Sequence, residues 1–146
     1  MNIGLIGIGA VFALSAIGSA LGAGIAGQAA IGAWKKCFSQ NKNAPFLLVA
    51  FVGAPLTQTI YGFILMNSLN AAAKGLDPGF VLGVGIFGGL AMGTSALYQG
   101  KAAASASDAL AETGKGFGNY IMVIGLVETV ALFVMVFSLG ILGSAA

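Results

Sequence analysis

Apolar residues dominate this chain in four long stretches, about Ile3–Ala33, Pro45–Ala73, Pro78–Ala111 and Phe117–Leu142, with short polar breaks between them. Each stretch exceeds the roughly 20 apolar residues that a helix needs to cross a bilayer. The pattern predicts an all-α membrane protein of four transmembrane helices, arranged as two helical hairpins over residues 1–73 and 78–146. The first break, Lys35–Pro45, ends on a proline suited to the first turn of a new helix. In the second, Lys74–Gly79, Gly75 can close one helix and Asp77-Pro78 can open the next. The third, Glu112–Gly116, reads as the turn of a helical hairpin. At 1.5 Å per residue such helices are about 40–50 Å long, longer than the ~30 Å hydrocarbon layer, so they should protrude on one side. No basic residue precedes the first stretch, and its uncharged run is far longer than the core of a signal peptide, which predicts a retained first helix.

The chain also repeats itself. Ser19-Ala20-Leu21-Gly22-Ala23-Gly24 in the first stretch aligns with Ser95-Ala96-Leu97-Tyr98-Gln99-Gly100 in the third. Leu56-Thr57-Gln58-Thr59 in the second aligns with Leu126-Val127-Glu128-Thr129 in the fourth, which sets Phe63 against Phe133. Two duplicated hairpins running in parallel follow, and they differ where it matters: Gln58 stands in the place of Glu128. Small residues recur every fourth position at Gly18, Gly22 and Ala26, at Ala20, Gly24 and Gln28, and at Gly85, Gly89 and Gly93. Such spacing lets helix backbones approach closely in lipid, so the first and third helices are expected to form a crowded inner layer with the second and fourth outside.

Composition narrows the class further. Of 146 residues 58% are hydrophobic and 7% charged, against about 25% charged in soluble domains. A net charge of +2 gives no basic surface for nucleic acid, and without histidine and with Cys37 alone there is neither a disulfide framework nor a Cys/His metal site. Lys35, Lys36, Lys42, Lys101 and Lys115 lie around the first and third breaks, and only Lys74 near the second. The positive-inside rule then puts the first and third breaks in the cytoplasm and both termini outside.

Glu128 is the one acid in the interior of an apolar stretch. It lies eleven residues from Phe117, about 16 Å along a helix. A charge at mid-membrane costs at least ~2.5–3.5 kcal/mol and by default marks an ion or proton site; the plain alternative is a protonated glutamate joining helices. Counting equal distances from each hairpin turn puts Gln99 level with Glu128, and Gln58 level with Ala23, all at one depth. Ala54, Thr57, Gln58 and Tyr61 recur at helical spacing on one face. Pro55 donates no amide hydrogen, which frees a carbonyl nearby. One carboxylate, two amide oxygens, a hydroxyl and a carbonyl form a hard-oxygen set suited to a small hard cation, whereas a proton needs only the carboxyl and one partner.

At these residues the chain resembles the duplicated proteolipid of V-type rotary ATPases, the K or c subunit, and most nearly the K subunit of bacterial V-type sodium-ATPases. The resemblance covers all four helices and rests on Pro55-Leu56-Thr57-Gln58 with Tyr61-Gly62-Phe63, on Gln99-Gly100-Lys101 with Ala102–Ala104, and on Val127-Glu128-Thr129. It implies a ring of identical subunits in a prokaryotic plasma membrane, turning against a stator subunit that carries an Arg, with a central stalk subunit at the cytoplasmic loops. It implies Na⁺ held by the side chains of Thr57, Gln58, Gln99 and Glu128 and the carbonyl of Ala54, with Tyr61 hydrogen-bonded to the carboxylate. Ala54 stands where the family usually has Leu, and Val130 where Tyr is common. Proton-carrying eukaryotic relatives have an apolar residue in place of Gln58, so the resemblance leans to Na⁺ over H⁺.

Two other classes fit less well. A passive pore-forming proteolipid shares the glycine-rich helices but gives no reason for an ion-sized oxygen shell in one half and a neutral amide in the other. An intramembrane enzyme would need a nucleophile–base pair or a metal-binding cluster. The chain has no G-x-x-x-x-G-K-[ST] loop, so ATP chemistry would belong to partner subunits.

Overall fold

The computed structural model describes residues 2–145, and within them it is all helix and connecting loop. The first helix, α1, spans Gly4–Ser39. The second span is built in two pieces, α2 (Leu48–Gly53) and α3 (Thr57–Ala72), joined by a single 3₁₀ turn at Ala54–Leu56. Helix α4 covers Pro78–Thr113 and α5 covers Phe117–Ala145. Four helical spans are therefore long and apolar enough to cross a membrane.

Local chemistry sets most of the boundaries. Asp77 caps α4, its Oδ1 accepting from the amides of Gly79 and Phe80 at 2.9 and 3.0 Å, with Pro78 in the first turn where no amide hydrogen is needed. Gly114 ends α4 in the left-handed region (φ 67°), its amide returning to the Leu110 carbonyl at 2.8 Å. Helix α1 runs six residues past the apolar stretch that predicted it, through Lys35 and Lys36 to Ser39. Hydropathy marks where lipid contact ends; lysine and serine still favour or tolerate helix beyond that point. The chain turns only at Asn41, which adopts φ 51°.

Helices α1 and α4 pack backbone to backbone, as the small-residue spacing predicts. A Cβ on Gly18 would collide with the backbone of Gly93, one on Gly85 with Gly7, and one on Gly100 with Gly22. The residue numbers in contact climb together along both helices, so α1 and α4 run parallel. Of the two small-residue faces read on α1, Gly18, Gly22 and Ala26 are buried, while Ala20, Gly24 and Gln28 are exposed. Helices α3 and α5 complete the bundle against this pair.

Two apolar clusters divide the interior. One lies toward the loops at 40–47 and 114–116 and gathers Ala26, Ala30, Leu48, Phe51, Ala103, Leu110 and Ile124. There Phe51 stacks on Phe117 with centroids 5.3 Å apart. The other, toward the chain termini, gathers Val11, Leu65, Leu69, Val81, Met92, Ala131 and Met135. Gln58 and Gln99, both fully buried, lie in the chain between these clusters. A polar layer thus crosses the middle of the bundle, closed by apolar packing above and below.

Candidate ion-binding site

The proline turn positions the first part of this layer. With no amide hydrogen at Pro55, the helix tightens into the 3₁₀ turn at Ala54–Leu56. The Ala54 carbonyl then accepts from the amide of Thr57 and, at 3.1 Å, from its hydroxyl. The sequence predicts a freed carbonyl near Pro55; at Ala54 the carbonyl is instead taken up by both donors of Thr57. Thr57 Oγ1 also lies 3.2 Å from Gln58 Oε1.

From Gln58 the network crosses to α4. Gln58 Nε2 donates to Gln99 Oε1 at 2.7 Å. Gln99 Nε2 donates in turn to Glu128 Oε2 at 3.1 Å and to the Ile124 carbonyl at 3.2 Å. Tyr61, one turn beyond Gln58 on α3, donates its phenol hydrogen to Glu128 Oε1 at 2.6 Å. Every oxygen of the carboxylate therefore has a donor, which is what a polar group in this setting requires. Glu128 itself is half-buried, and Tyr61 and Thr57 likewise, so the site opens on the α3–α5 side of the protomer.

All six residues singled out in the sequence, Ala54, Thr57, Gln58, Tyr61, Gln99 and Glu128, fall in this one connected cluster. The depth expected for α1 does not hold. Gly22 approaches Pro55, and Ser15 lies against Gly62, so the residue of α1 level with Gln58 is Ser19 and not Ala23. Equal counting from the turn assumes a symmetrical loop, but α1 continues to Ser39 and α2 starts only at Leu48.

Two supporting groups are not among the residues expected from the sequence. Ser95 Oγ donates across to the Val127 carbonyl at 2.8 Å, tying α4 to α5 immediately before Glu128. The Ile124 carbonyl, one turn before Glu128, holds the Gln99 amide. Ser95 is legible as the repeat partner of Ser19; a backbone carbonyl carries no residue-type signal. Asp108, also inside α4, is exposed near its end and takes no part in the site.

Known proteins are similar in sequence to this chain. Residues 82–141, which include Gln99 and Glu128, match the family model described as the C subunit of ATP synthase. Over 131 residues the chain is 31% identical to the K subunit of the A-type ATP synthase of Methanocaldococcus jannaschii, an alignment covering 90% of this chain and 57% of that protein. The chain thus spans little more than half the length of that relative. The acid-bearing hairpin is thus similar to the C-subunit family, and nine-tenths of the chain is similar to a K subunit, which places the likeness among the c and K proteolipids of rotary ATPases.

Proposed function

We propose that this chain is the rotor-ring subunit of a V-type ATPase or ATP synthase and carries Na⁺ across the membrane, bound at Glu128 while the ring turns. The observation that carries the reading is the convergence of three helices on that carboxylate. Tyr61 and Gln99 hold it directly, and Gln58 and Thr57 extend the polar layer from Gln99 back to the Ala54 carbonyl. A bare carboxylate is costly in lipid, so Glu128 faces hydrocarbon only when a cation or proton neutralises it, and it releases the cargo beside a stator Arg. Moving one charge against 100 mV takes ~2.3 kcal/mol, which the partner subunits that handle ATP supply or collect. Because Gln58 replaces an acid, each protomer carries one ion per turn where two hairpins would offer two sites.

The donor set fits Na⁺: Glu128, Gln58 Oε1, Gln99 Oε1, Thr57 Oγ1 and the Ala54 carbonyl are all hard oxygens. In the structure the Gln99 nitrogen faces the carboxylate. For its oxygen to face a cation, the amide turns over and withdraws that N–H. The ring assembles from identical copies in a prokaryotic plasma membrane, with both termini outside. The loops at 40–47 and 114–116 then face the cytoplasm and a central stalk subunit. Residues 1–73 and 78–146 act as two hairpins descended from one.

Proton transport is the second reading, and one observation favours it: Tyr61 and Gln99 already give each carboxylate oxygen a partner, which is all that a proton site needs. Carbodiimide labelling of Glu128 across pH, with and without Na⁺, separates the two. Protection by millimolar Na⁺ but not by equal K⁺ is expected. Labelling that follows pH alone and ignores Na⁺ would establish the proton reading. A Glu128→Gln ring that still supported ATP-driven transport would overturn both.

A further inference from the structure

Ser19 breaks the rule that buried polar groups are paired. The residue is 1% exposed, and its hydroxyl is the buried side-chain oxygen or nitrogen without a hydrogen-bond partner among the described residues. Ser15, one turn earlier, satisfies its own hydroxyl on the Val11 carbonyl at 2.7 Å, and Ser95, the repeat partner of Ser19, uses the Val127 carbonyl. An orphaned buried hydroxyl gives up its hydration with no bond in return, so it calls for a cause.

Its place in the fold supplies one. Ser15, Ser19 and Gly22 are spaced i, i+4, i+7, which puts them on one face of α1. Ser15 meets Gly62 on α3, and Gly22 meets Pro55. Ser19 therefore faces α3 midway between those contacts, at the level of Gln58. Gln58 is fully buried, and its side-chain nitrogen has one acceptor, Gln99 Oε1. That acceptor is also an ion ligand in the reading above, on which this inference rests. When both amide oxygens face a cation, both amide nitrogens face away from it. Gln58 Nε2 then loses Gln99 Oε1 and needs another acceptor in the dry interior.

We propose that Ser19 is a positioning residue for the cation site: its hydroxyl accepts the Gln58 amide hydrogen when Gln99 turns its oxygen to the ion. With Gln58 Nε2 on Gln99 Oε1, Ser19 is unpaired; with both amide oxygens on the ion it is paired, so loading relieves the orphan and α1 joins a site otherwise built from α3, α4 and α5. Ser19 touches neither the ion nor Glu128.

The test uses assembled rings carrying Ser19→Ala, Ser19→Thr or Ser19→Cys, with carbodiimide labelling of Glu128 read against pH in the absence of Na⁺ and against Na⁺ at fixed pH. Ser19→Ala should raise the half-protecting Na⁺ concentration about tenfold, the equivalent of one hydrogen bond, and leave the Na⁺-free pH profile where it was. Ser19→Thr, which keeps a hydroxyl, should restore most of the protection. Ser19→Cys, close to serine in size but a weak acceptor, should fall between them, and it carries the test if the alanine ring does not assemble. Protection at unchanged Na⁺ in both the Ala and Cys rings overturns the proposal. A Na⁺-free profile displaced to the same degree also overturns it, because Ser19 would then act on the carboxylate itself. If the unsubstituted ring shows no Na⁺ protection, the sodium reading has failed and takes this inference with it.

Discussion

The phenol oxygen of Tyr61 lies 2.6 Å from Oε1 of Glu128, linking α3 to α5 in the middle of the bundle. Tyr61 is one of two side chains bonded directly to the carboxylate, the other being Gln99. Together they fix its plane.

Tyr61→Phe keeps the ring and removes this donor. A hydrogen bond to a charged group contributes about 1.5–3 kcal/mol, part of which the carboxylate recovers by reorienting. The half-protecting Na⁺ concentration in carbodiimide labelling should rise about tenfold, with helical content unchanged by circular dichroism. Unchanged protection would assign Tyr61 to packing alone.

The α1–α4 contact gives a prediction of stability with a built-in control. A Cβ at Gly18 would run into the Gly93 backbone, whereas one at Gly9 meets nothing within 4 Å. Gly18→Ala forces the backbones apart and should cost about 1–3 kcal/mol, as overpacking does. Gly9→Ala should be neutral or stabilise the protomer by up to about 1 kcal/mol through helix propensity. Thermal unfolding in detergent should lower the midpoint for the first and not for the second. Equal shifts would mean that α1 and α4 are less intimately packed than their glycines indicate.

The legible parts of the molecule are those written in residue type and spacing. Asp77-Pro78 and Gly114 punctuate α4 where their chemistry predicts, and the glycines of α1 and α4 meet as their spacing requires. The six polar-layer residues stand out because a membrane segment has so few polar groups that any at one depth must satisfy one another. What escapes is geometry that residue type does not carry. The end of α1 is set by an Asn41 turn beyond the lysines, and that extension slides α1 by one helical turn, bringing Ser19 rather than Ala23 level with Gln58. The Ile124 carbonyl joins the network through backbone alone.

Trp34 closes the connection between the first two spans: its indole N–H donates to the Pro45 carbonyl at 2.8 Å across residues 40–47. Trp34→Phe retains an aromatic ring and loses about 0.5–1.5 kcal/mol of local hydrogen bonding. Limited proteolysis of the ring should cut within 40–47 several times faster, while the unfolding midpoint moves little. A large drop in the midpoint instead would make Trp34 part of the core and not a local clasp.

Gln58→Leu separates ion binding from the carboxylate's own chemistry. The substitution removes the donor to Gln99 Oε1 and the oxygen beside Thr57, and leaves the two direct bonds to Glu128 in place. Thr57 keeps its bond to the Ala54 carbonyl, so the proline turn should persist. Gln99 Oε1, buried and newly unpaired, costs about 1–3 kcal/mol, which lowers the unfolding midpoint. With one of the five proposed oxygen ligands gone and the amide pair broken, Na⁺ protection of Glu128 should weaken by about a hundredfold or more, a loss of about 2.8 kcal/mol. Labelling without Na⁺ should keep its dependence on pH, because the donors that hold the carboxylate are untouched. Such a ring would retain a proton site and lack a sodium site. If it instead kept Na⁺ protection at the original concentration, Gln58 would be a structural amide, and the difference between the two hairpins would have no bearing on cargo.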